Sequence, residues 1–250
     1  IKTAIEKIEN YNNGNGITPA ALTLDDYTDA GITGVSAENL AAVNAQVLKQ
    51  TSGGADTPAE VQPLVVVANT AITKIEQYNN GNGTTPSALT LADYADAGIT
   101  GVSDDNLAAV NAQVLAQIPG GASTDPFVQQ LVNAANAALV KIEEYNNGNG
   151  TSPAALSLAD YAAAGITGVT ADNLAAVNVQ ILKQAIGGAN TDPKIQSLVS
   201  GISNAVAALS GFAQANATGL TNATGTVPDL ATFANAGLTG VTLASLNAIN

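Results

Sequence analysis

The sequence contains no cysteine, histidine, methionine, tryptophan or arginine. Without cysteine the chain can form neither a disulfide nor a thiolate metal site. Without histidine it lacks the most common general base and the most common transition-metal ligand. We therefore predict that the chain is not an enzyme, and that it has no catalytic residues, no cofactor-binding residues and no metal ligands.

Positive charge is also scarce, since seven lysines stand against twenty acidic residues and give a net charge of -13. So few lysines cannot form a patch that follows a phosphate backbone or an anionic membrane surface. No apolar run approaches the roughly 20 residues of a transmembrane helix. We predict no nucleic-acid partner and no membrane insertion in this segment. The acidic, cysteine-free composition favours an extracellular or cell-surface bacterial location.

The sequence is built from repeats. The string Tyr-Asn-Asn-Gly-Asn-Gly begins at Tyr11, Tyr78 and Tyr145, and a second string, Ala-Gly-Ile/Leu-Thr-Gly-Val, begins at residues 30, 97, 164 and 236. The spacing is 67 residues between the first three occurrences of each string and 72 before the last occurrence of the second string, and it indicates a tandem array of small modules. We predict five segments: 1–16 is the third helix of an incomplete repeat, 17–83 and 84–150 are three-helix repeats, 151–224 is a three-helix repeat with a divergent end, and 225–250 supplies helices one and two of an incomplete repeat.

Each repeat has start and stop signals for two short helices. Thr23 and Asp26 form a predicted capping box for the first helix, and Gly31 is the predicted stop. Residues Ser36, Ser103, Thr170 and Thr242 are predicted to cap the second helix. That helix is expected to end near a Gly-Gly pair, at Gly53 in the first copy.

The third helix is predicted to be the longest. Thr57-Pro58 should open it, as should Asp125-Pro126 and Asp192-Pro193, and Pro63 should cause a kink or a late start. Apolar residues at 61, 65, 68, 72 and 75 follow a 4, 3, 4, 3 spacing that is typical of a left-handed helix bundle. We therefore predict an all-α fold: a tandem array of about 67-residue three-helix bundles in which the third helix bridges neighbours.

One short pattern is similar to a known family. Gly34-Val-Ser36, followed by Val43-Asn44, recurs at the same spacing in every copy. It resembles the three-helix GA-type modules that stand in tandem on bacterial surface proteins. The repeats also resemble those of very large tandem-repeat adhesins of Gram-negative bacteria. The resemblance implies a three-helix fold and a surface location.

Three groups of residues allow either a functional or a structural interpretation. The Asn-Asn-Gly-Asn-Gly loops could offer oxygens to Ca²⁺, or could be helix stops followed by turns. The carboxylates Asp25, Asp26 and Asp29 could act as acid and base, or could cap and solvate a helix. Two aromatic series could bind sugars by stacking, or could be core: Tyr11, Tyr78, Tyr145 and Phe212, and Tyr27, Tyr94, Tyr161 and Phe233. We favour the structural interpretation of each.

These observations predict an extracellular structural protein, either the stalk of a bacterial adhesin or a subunit of an extracellular fibre. The expected partners are neighbouring repeats or copies of the chain itself. The incomplete ends predict either head-to-tail assembly or, as we favour, a window cut from a longer protein. The alternative is a multivalent binding module for a host or matrix protein.

Overall fold

The computed structural model describes residues 2–14, 20–81, 87–148, 154–216 and 226–249, and within them the chain forms twelve α-helices and no strand. The helices are Lys2–Asn13 (α1), Leu24–Asp29 (α2), Leu40–Leu48 (α3), Pro58–Asn80 (α4), Leu91–Asp96 (α5), Leu107–Leu115 (α6), Asp125–Asn147 (α7), Leu158–Ala163 (α8), Leu174–Lys183 (α9), Asp192–Ala215 (α10), Leu230–Asn235 (α11) and Leu243–Ile249 (α12). The all-α prediction is confirmed.

The helices recur in a fixed order of length. A short helix of 6 residues (α2, α5, α8 or α11) is followed by a second helix of 7 to 10 residues (α3, α6, α9 or α12). In the first three copies a long helix of 23 or 24 residues (α4, α7 or α10) comes next. Helix α1 corresponds in sequence to the last half of a long helix, because Tyr11 matches Tyr78.

The short helices begin and end at the predicted residues. Thr23 caps α2, and the backbone N–H of Thr23 donates to the Asp26 carboxylate at 2.7 Å, which completes the capping box. Gly31 takes the left-handed conformation with a φ of 79°. The backbone N–H of Ile32 then donates to the Tyr27 carbonyl at 2.9 Å, the long bond of a Schellman motif.

The second helices do not begin directly after Ser36, Ser103 and Thr170, so the prediction of these residues as caps was wrong. In the first copy α3 begins at Leu40, with Asn39 as its N-cap. The Asn39 side chain accepts from the Ser36 N–H at 2.8 Å and donates to the Gly34 carbonyl at 2.8 Å. It thereby holds residues 36–39 in a turn that precedes the helix.

The fourth copy shows what this asparagine does. Ser245 stands where the other copies have asparagine, and α12 begins at Leu243, directly after Thr242. The Thr242 hydroxyl accepts from the Ser245 N–H at 3.2 Å, as a helix cap should. The predicted cap is therefore right in this copy alone.

The long helices also depart from expectation at their starts. Thr57 caps α4 in a capping box with Glu60, and the helix runs from Pro58 through Pro63, so the predicted late start was wrong. By analogy with Thr57, Asp125 and Asp192 are expected to stand just before α7 and α10. Each is instead the first residue of its helix, because it matches Pro58 rather than Thr57 in sequence.

The contacts divide the chain into two compact units, Ile1–Ala134 and Ala135–Asn250. In the first unit, α1 packs against α2 and α3, and α3 packs against α4 and α5. Helix α4 also packs against α5 and α6, so this long helix contacts helices of its own copy and of the next. In the second unit, α10 packs against α9 and α11. The segment boundaries at residues 16, 83, 150 and 224 stay predictions.

Each of the first three copies has a buried tyrosine on the short helix that bonds to a buried asparagine on the second helix. Tyr27, Tyr94 and Tyr161 are fully buried, and their hydroxyls donate at 2.6–2.7 Å to the side-chain oxygens of Asn44, Asn111 and Asn178. Burial raises the pKa of Tyr94, with smaller contributions from Tyr78 and Asp93. These pairs explain the asparagine of the repeated apolar–Asn pattern, for which the sequence alone offers no partner.

Candidate functional site

The described residues contain no cluster of three or more acidic side chains that could hold a metal ion. The acidic group at Asp25, Asp26 and Asp29 is dispersed around α2: Asp25 and Asp26 lie in its first turn, and Asp29 is exposed at its last residue. The structure thus places these carboxylates as capping and surface groups.

Asp26 is held by a cap and by one lysine. Its carboxylate accepts from the Lys7 ammonium at 2.5 Å and from Thr23. Burial alone would raise the pKa of Asp26, but the hydrogen bonds from Lys7 and Thr23 outweigh it and the pKa is lowered. The same ion pair joins a long helix to the following short helix at Lys74–Asp93 and at Lys141–Asp160, also at 2.5 Å.

The tyrosines of the Tyr-Asn-Asn-Gly strings lie in the core. Tyr11, Tyr78 and Tyr145 are each 6–7% exposed, so their rings offer no stacking surface. Phe212, their counterpart in α10, is only half-buried. Phe233 is buried, as are the tyrosines on the other short helices.

The two asparagines of each string tie the end of a long helix to the end of a second helix. Asn12 donates to the carbonyls of Val47 and Gln50 at 2.9 and 3.1 Å, and Asn13 accepts from the Gly53 N–H at 3.2 Å. The counterparts are Asn79 and Asn80, and Asn146 and Asn147.

The calcium hypothesis rests partly on residues 15–16, 82–83 and 149–150, which lie outside the described residues. In the described part, the Oδ1 atoms of Asn12, Asn79 and Asn146 are buried without a partner. One such oxygen per copy is far from the 6–8 oxygen ligands that Ca²⁺ takes. In the described residues these asparagines therefore connect helices by hydrogen bonds.

In the first unit one copy contacts the next at a site that we call the repeat junction. It consists of Gln46 of α3, its C-cap residue Lys49, the backbone at Ala41–Ala42, and Asp96 and Gly98 at the end of α5. The Gln46 side chain donates to the Asp96 carbonyl at 2.7 Å, and the Lys49 ammonium contacts the Asp96 carboxylate at 2.5 Å. Both bonds hold the end of the short helix on the preceding second helix.

Gly98 allows the two backbones of the repeat junction to touch. Its φ is 72°, and a Cβ built on it would lie 2.5 Å from the carbonyl carbon and oxygen of Ala41 and 2.6 Å from the nitrogen of Ala42. Because these are backbone atoms, no side-chain rotation can make room for a larger residue. At Gly98 the glycine of the Ala-Gly-Ile-Thr string is therefore needed for packing as well as for the helix stop.

Asp125 joins α7 to the start of α3. It is 2% exposed, and one carboxylate oxygen accepts from the backbone N–H groups of Ala41 and Ala42 at 2.9 and 3.1 Å. An acceptor at a helix N-terminus satisfies donors that have no partner within the helix. Burial raises the pKa of this carboxyl, against the opposing effect of the two backbone hydrogen bonds.

The second unit contains a similar contact. Gln180 of α9 donates to the Ala234 carbonyl at 2.6 Å, as Gln46 does to Asp96. A Cβ on Gly237 would overlap the Ala176 side chain, as a Cβ on Gly98 would overlap the α3 backbone. The glutamine and the glycine of the two contacts are at matching sequence positions, whereas the acceptor Ala234 lies one residue before Asn235, the counterpart of Asp96. The fourth copy follows the third at a spacing of 72 residues rather than 67.

Sequence reasoning did not find the repeat junction as a site. The repeated glycine indicates a helix stop, and this local role accounts for it without any contact between copies. The signal for Asp125 was the change from Pro58 to aspartate at the matching positions 125 and 192. That change has no explanation within a single helix and indicates a partner elsewhere.

By length and composition alone, α10 is the one helix among the described residues that could cross a bilayer, with a mean hydropathy of 1.2. Its buried apolar residues Ile195, Val199 and Ile202 follow the spacing of a bundle helix. The absence of membrane insertion stays a prediction.

No protein family, no curated protein and no solved structure matches this chain at a significant level.

Proposed function

We propose that the chain is an extracellular structural repeat protein of a bacterium, serving as the extender of a surface adhesin or as a subunit of an extracellular fibre. Its architecture would be a tandem array of three-helix bundles, each long helix shared between consecutive bundles. The observation that carries the proposal is the repeat junction, where polar bonds and a backbone contact join successive copies.

The long helix α4 supports the sharing of helices between bundles. Near its start, Gln62 bonds to Thr33 of its own copy, accepting from the Thr33 N–H at 3.0 Å and donating to its carbonyl at 2.9 Å. Near its end, Lys74 and Asn79 bond to the next copy, at Asp93 and at the Val114 carbonyl. A helix anchored at both ends in different copies transmits force from one to the other.

Composition supports a passive role. The chain has no histidine or cysteine to act as base or nucleophile, and two of the three buried aspartates among the described residues, Asp26 and Asp125, accept from backbone N–H groups at helix starts. The net charge of -13 opposes lateral clumping of neighbouring molecules. Both features suit an extender better than an enzyme.

The test of an extender is whether length grows with copy number. A chain with one more copy of residues 84–150, inserted after residue 150, should show a larger maximum dimension in small-angle X-ray scattering. A second inserted copy should add the same increment. Growth in all dimensions at once, as in a compact particle, would refute the proposal. Light scattering on the same samples separates a monomeric extender from a self-assembling fibre subunit.

The alternative function, a multivalent binding module, is favoured by one observation. Leu48, Leu115 and Leu182 occupy the same position in three copies and are 45–48% exposed. An apolar side chain repeated on the surface gives each copy a weak site whose avidity grows with copy number. If this alternative holds, replacing all three leucines by serine should abolish retention on immobilised extracellular-matrix proteins without changing the urea midpoint.

A further inference from the structure

The long helix α4 has a second packing stripe on its solvent side. Five exposed residues recur there at alternating spacings of three and four, and we call them the α4 seam: Glu60, Pro63, Val67, Thr70 and Lys74. This is the spacing of a face that packs against another helix. The buried stripe of α4, from Val61 to Ile75, is separate from it. The α4 seam is therefore a second packing face that no described helix covers.

The centre of the α4 seam is apolar in this copy alone. Val67 is 45% exposed, and its neighbour Val66 is 62% exposed. The matching residues are Ala134 and Asn133 in α7, and Gly201 and Ser200 in α10. These are exposed as well, although further copies both precede and follow α7, so exposure of the stripe belongs to the fold of each copy. The two valines therefore add apolar surface that packing within the chain does not use.

A hollow beside the two valines makes this surface concave. Its volume is about 340 Å³, and it lies between α4 and α5. Val66, Val67 and Ala71 line it from α4, and Asp93 and Asp96 line it from α5. Side chains of one helix pack into the grooves of another, so a concave surface suits a second helix.

The charges of the α4 seam are self-complementary. Glu60 and Lys74 lie seven residues before and after Val67, which is two helical turns or roughly 10 Å on either side. Glu60 accepts its capping bonds from Asp56 and Thr57 with Oε2, and none of the described residues donates to its Oε1. Lys74 is 57% exposed, and its contact with Asp93 leaves further N–H donors on the ammonium. Both charges are therefore available to a partner.

We propose that the α4 seam binds the α4 seam of a second copy of this chain, with the two helices antiparallel and Val67 at the two-fold axis. In that arrangement the Lys74 ammonium of each chain faces the Glu60 carboxylate of the other, and the valines of the two chains cover each other. The position of Glu60 is taken by Phe127 in α7 and by Lys194 in α10, so neither helix is self-complementary. A single isologous contact closes as a dimer.

The dimer should be weak and specific. The net charge of -13 opposes association at other surfaces. One pair of helices buries less than the roughly 1,200–2,000 Å² of a standard interface, so we expect a dissociation constant on the order of 100 μM. Sedimentation equilibrium of residues 1–250, at roughly 10 to 1,000 μM, brackets that value. The inference does not depend on the proposed function.

Val67→Asp tests the apolar centre of the seam. It removes both valines and places two carboxylates at the two-fold axis, so it should raise the dissociation constant at least about tenfold. Ala134→Asp is the matched control, because it adds the same charge at the matching exposed position of α7. It should leave the dissociation constant unchanged. Circular dichroism at 222 nm should show that both variants keep their helices.

Exchange of the two charges tests the antiparallel register. Lys74→Glu and Glu60→Lys should each prevent dimerisation, because each places like charges at both ends of the pair. An equimolar mixture of the two variants should dimerise again, because both contacts are then between opposite charges. Three results would overturn the inference: a wild-type chain that stays monomeric at the highest concentration, a dimer that Val67→Asp leaves unchanged, or a mixture of folded variants that does not associate.

Discussion

The substitution Gly98→Ala tests whether the backbone contact at the repeat junction stabilises the chain. A methyl group at this position would lie 2.5 Å from the Ala41 backbone, well inside van der Waals contact. Forcing atoms into packed space costs about 1–3 kcal/mol, and a left-handed residue with a Cβ costs a further ~1–2 kcal/mol. We expect Gly98→Ala to lower the free energy of unfolding by about 2–5 kcal/mol. The measurement is urea unfolding followed by circular dichroism at 222 nm.

Gly31→Ala is the matched control for this experiment. Gly31 ends α2 as Gly98 ends α5, with a φ of 79° against 72°, but a Cβ at Gly31 meets nothing within 4 Å. Gly31→Ala should therefore lower the free energy of unfolding only by the conformational cost of ~1–2 kcal/mol. Hydrogen exchange should accelerate in α3 and α5 for Gly98→Ala but not for Gly31→Ala. Equal losses for the two variants would refute the reasoning.

Three further predictions concern polar groups in the first unit. Asn111→Ala should lower the free energy of unfolding by about 2–4 kcal/mol in urea titrations, because it leaves the buried Tyr94 hydroxyl and a backbone carbonyl unpaired. Tyr94→Phe should lower it by only ~1 kcal/mol. The pKa of Asp93 is lowered because hydrogen bonds from Lys74 and Thr90 outweigh burial, so Asp93→Asn should lower the free energy of unfolding by about 0.5–1 kcal/mol at pH 7. This cost should disappear as the pH falls below the lowered pKa of Asp93 in the folded chain. The pKa of Asp125 is raised by burial, so the carboxyl contributes most to stability below its ordinary pKa and less as the pH rises above it. The melting temperature of Asp125→Asn should therefore rise relative to that of the wild type as the pH increases above the ordinary carboxyl pKa, the opposite trend to Asp93→Asn.

Signals that act within one or two helical turns could be predicted from the sequence. The capping box at Thr23, the start of α4 at Thr57-Pro58, the stop at Gly31 and the end of α4 at Asn80 are confirmed. Each depends on residues no more than about five positions apart, so the local sequence determines it. The helix order and the all-α fold follow from these signals.

Interactions between distant residues could not be predicted in the same way. Asp125 bonds to Ala41, 84 residues away, and no periodicity within one copy indicates that contact. The predicted start of α3, directly after Ser36, was wrong because the Asn39 side chain bonds back to Ser36 and Gly34, and the helix begins only at Leu40. In both cases the partner of a side chain depends on tertiary packing, which the local sequence does not determine.

The most direct test of an extended array is the radius of gyration of residues 1–250 in solution. A compact chain of this length has a radius of gyration of about 18 Å. Small-angle X-ray scattering on the monomeric chain should give a clearly larger value if consecutive copies are strung along shared long helices. A value near 18 Å, with a symmetric distance distribution, would contradict the proposal that this protein is an extender.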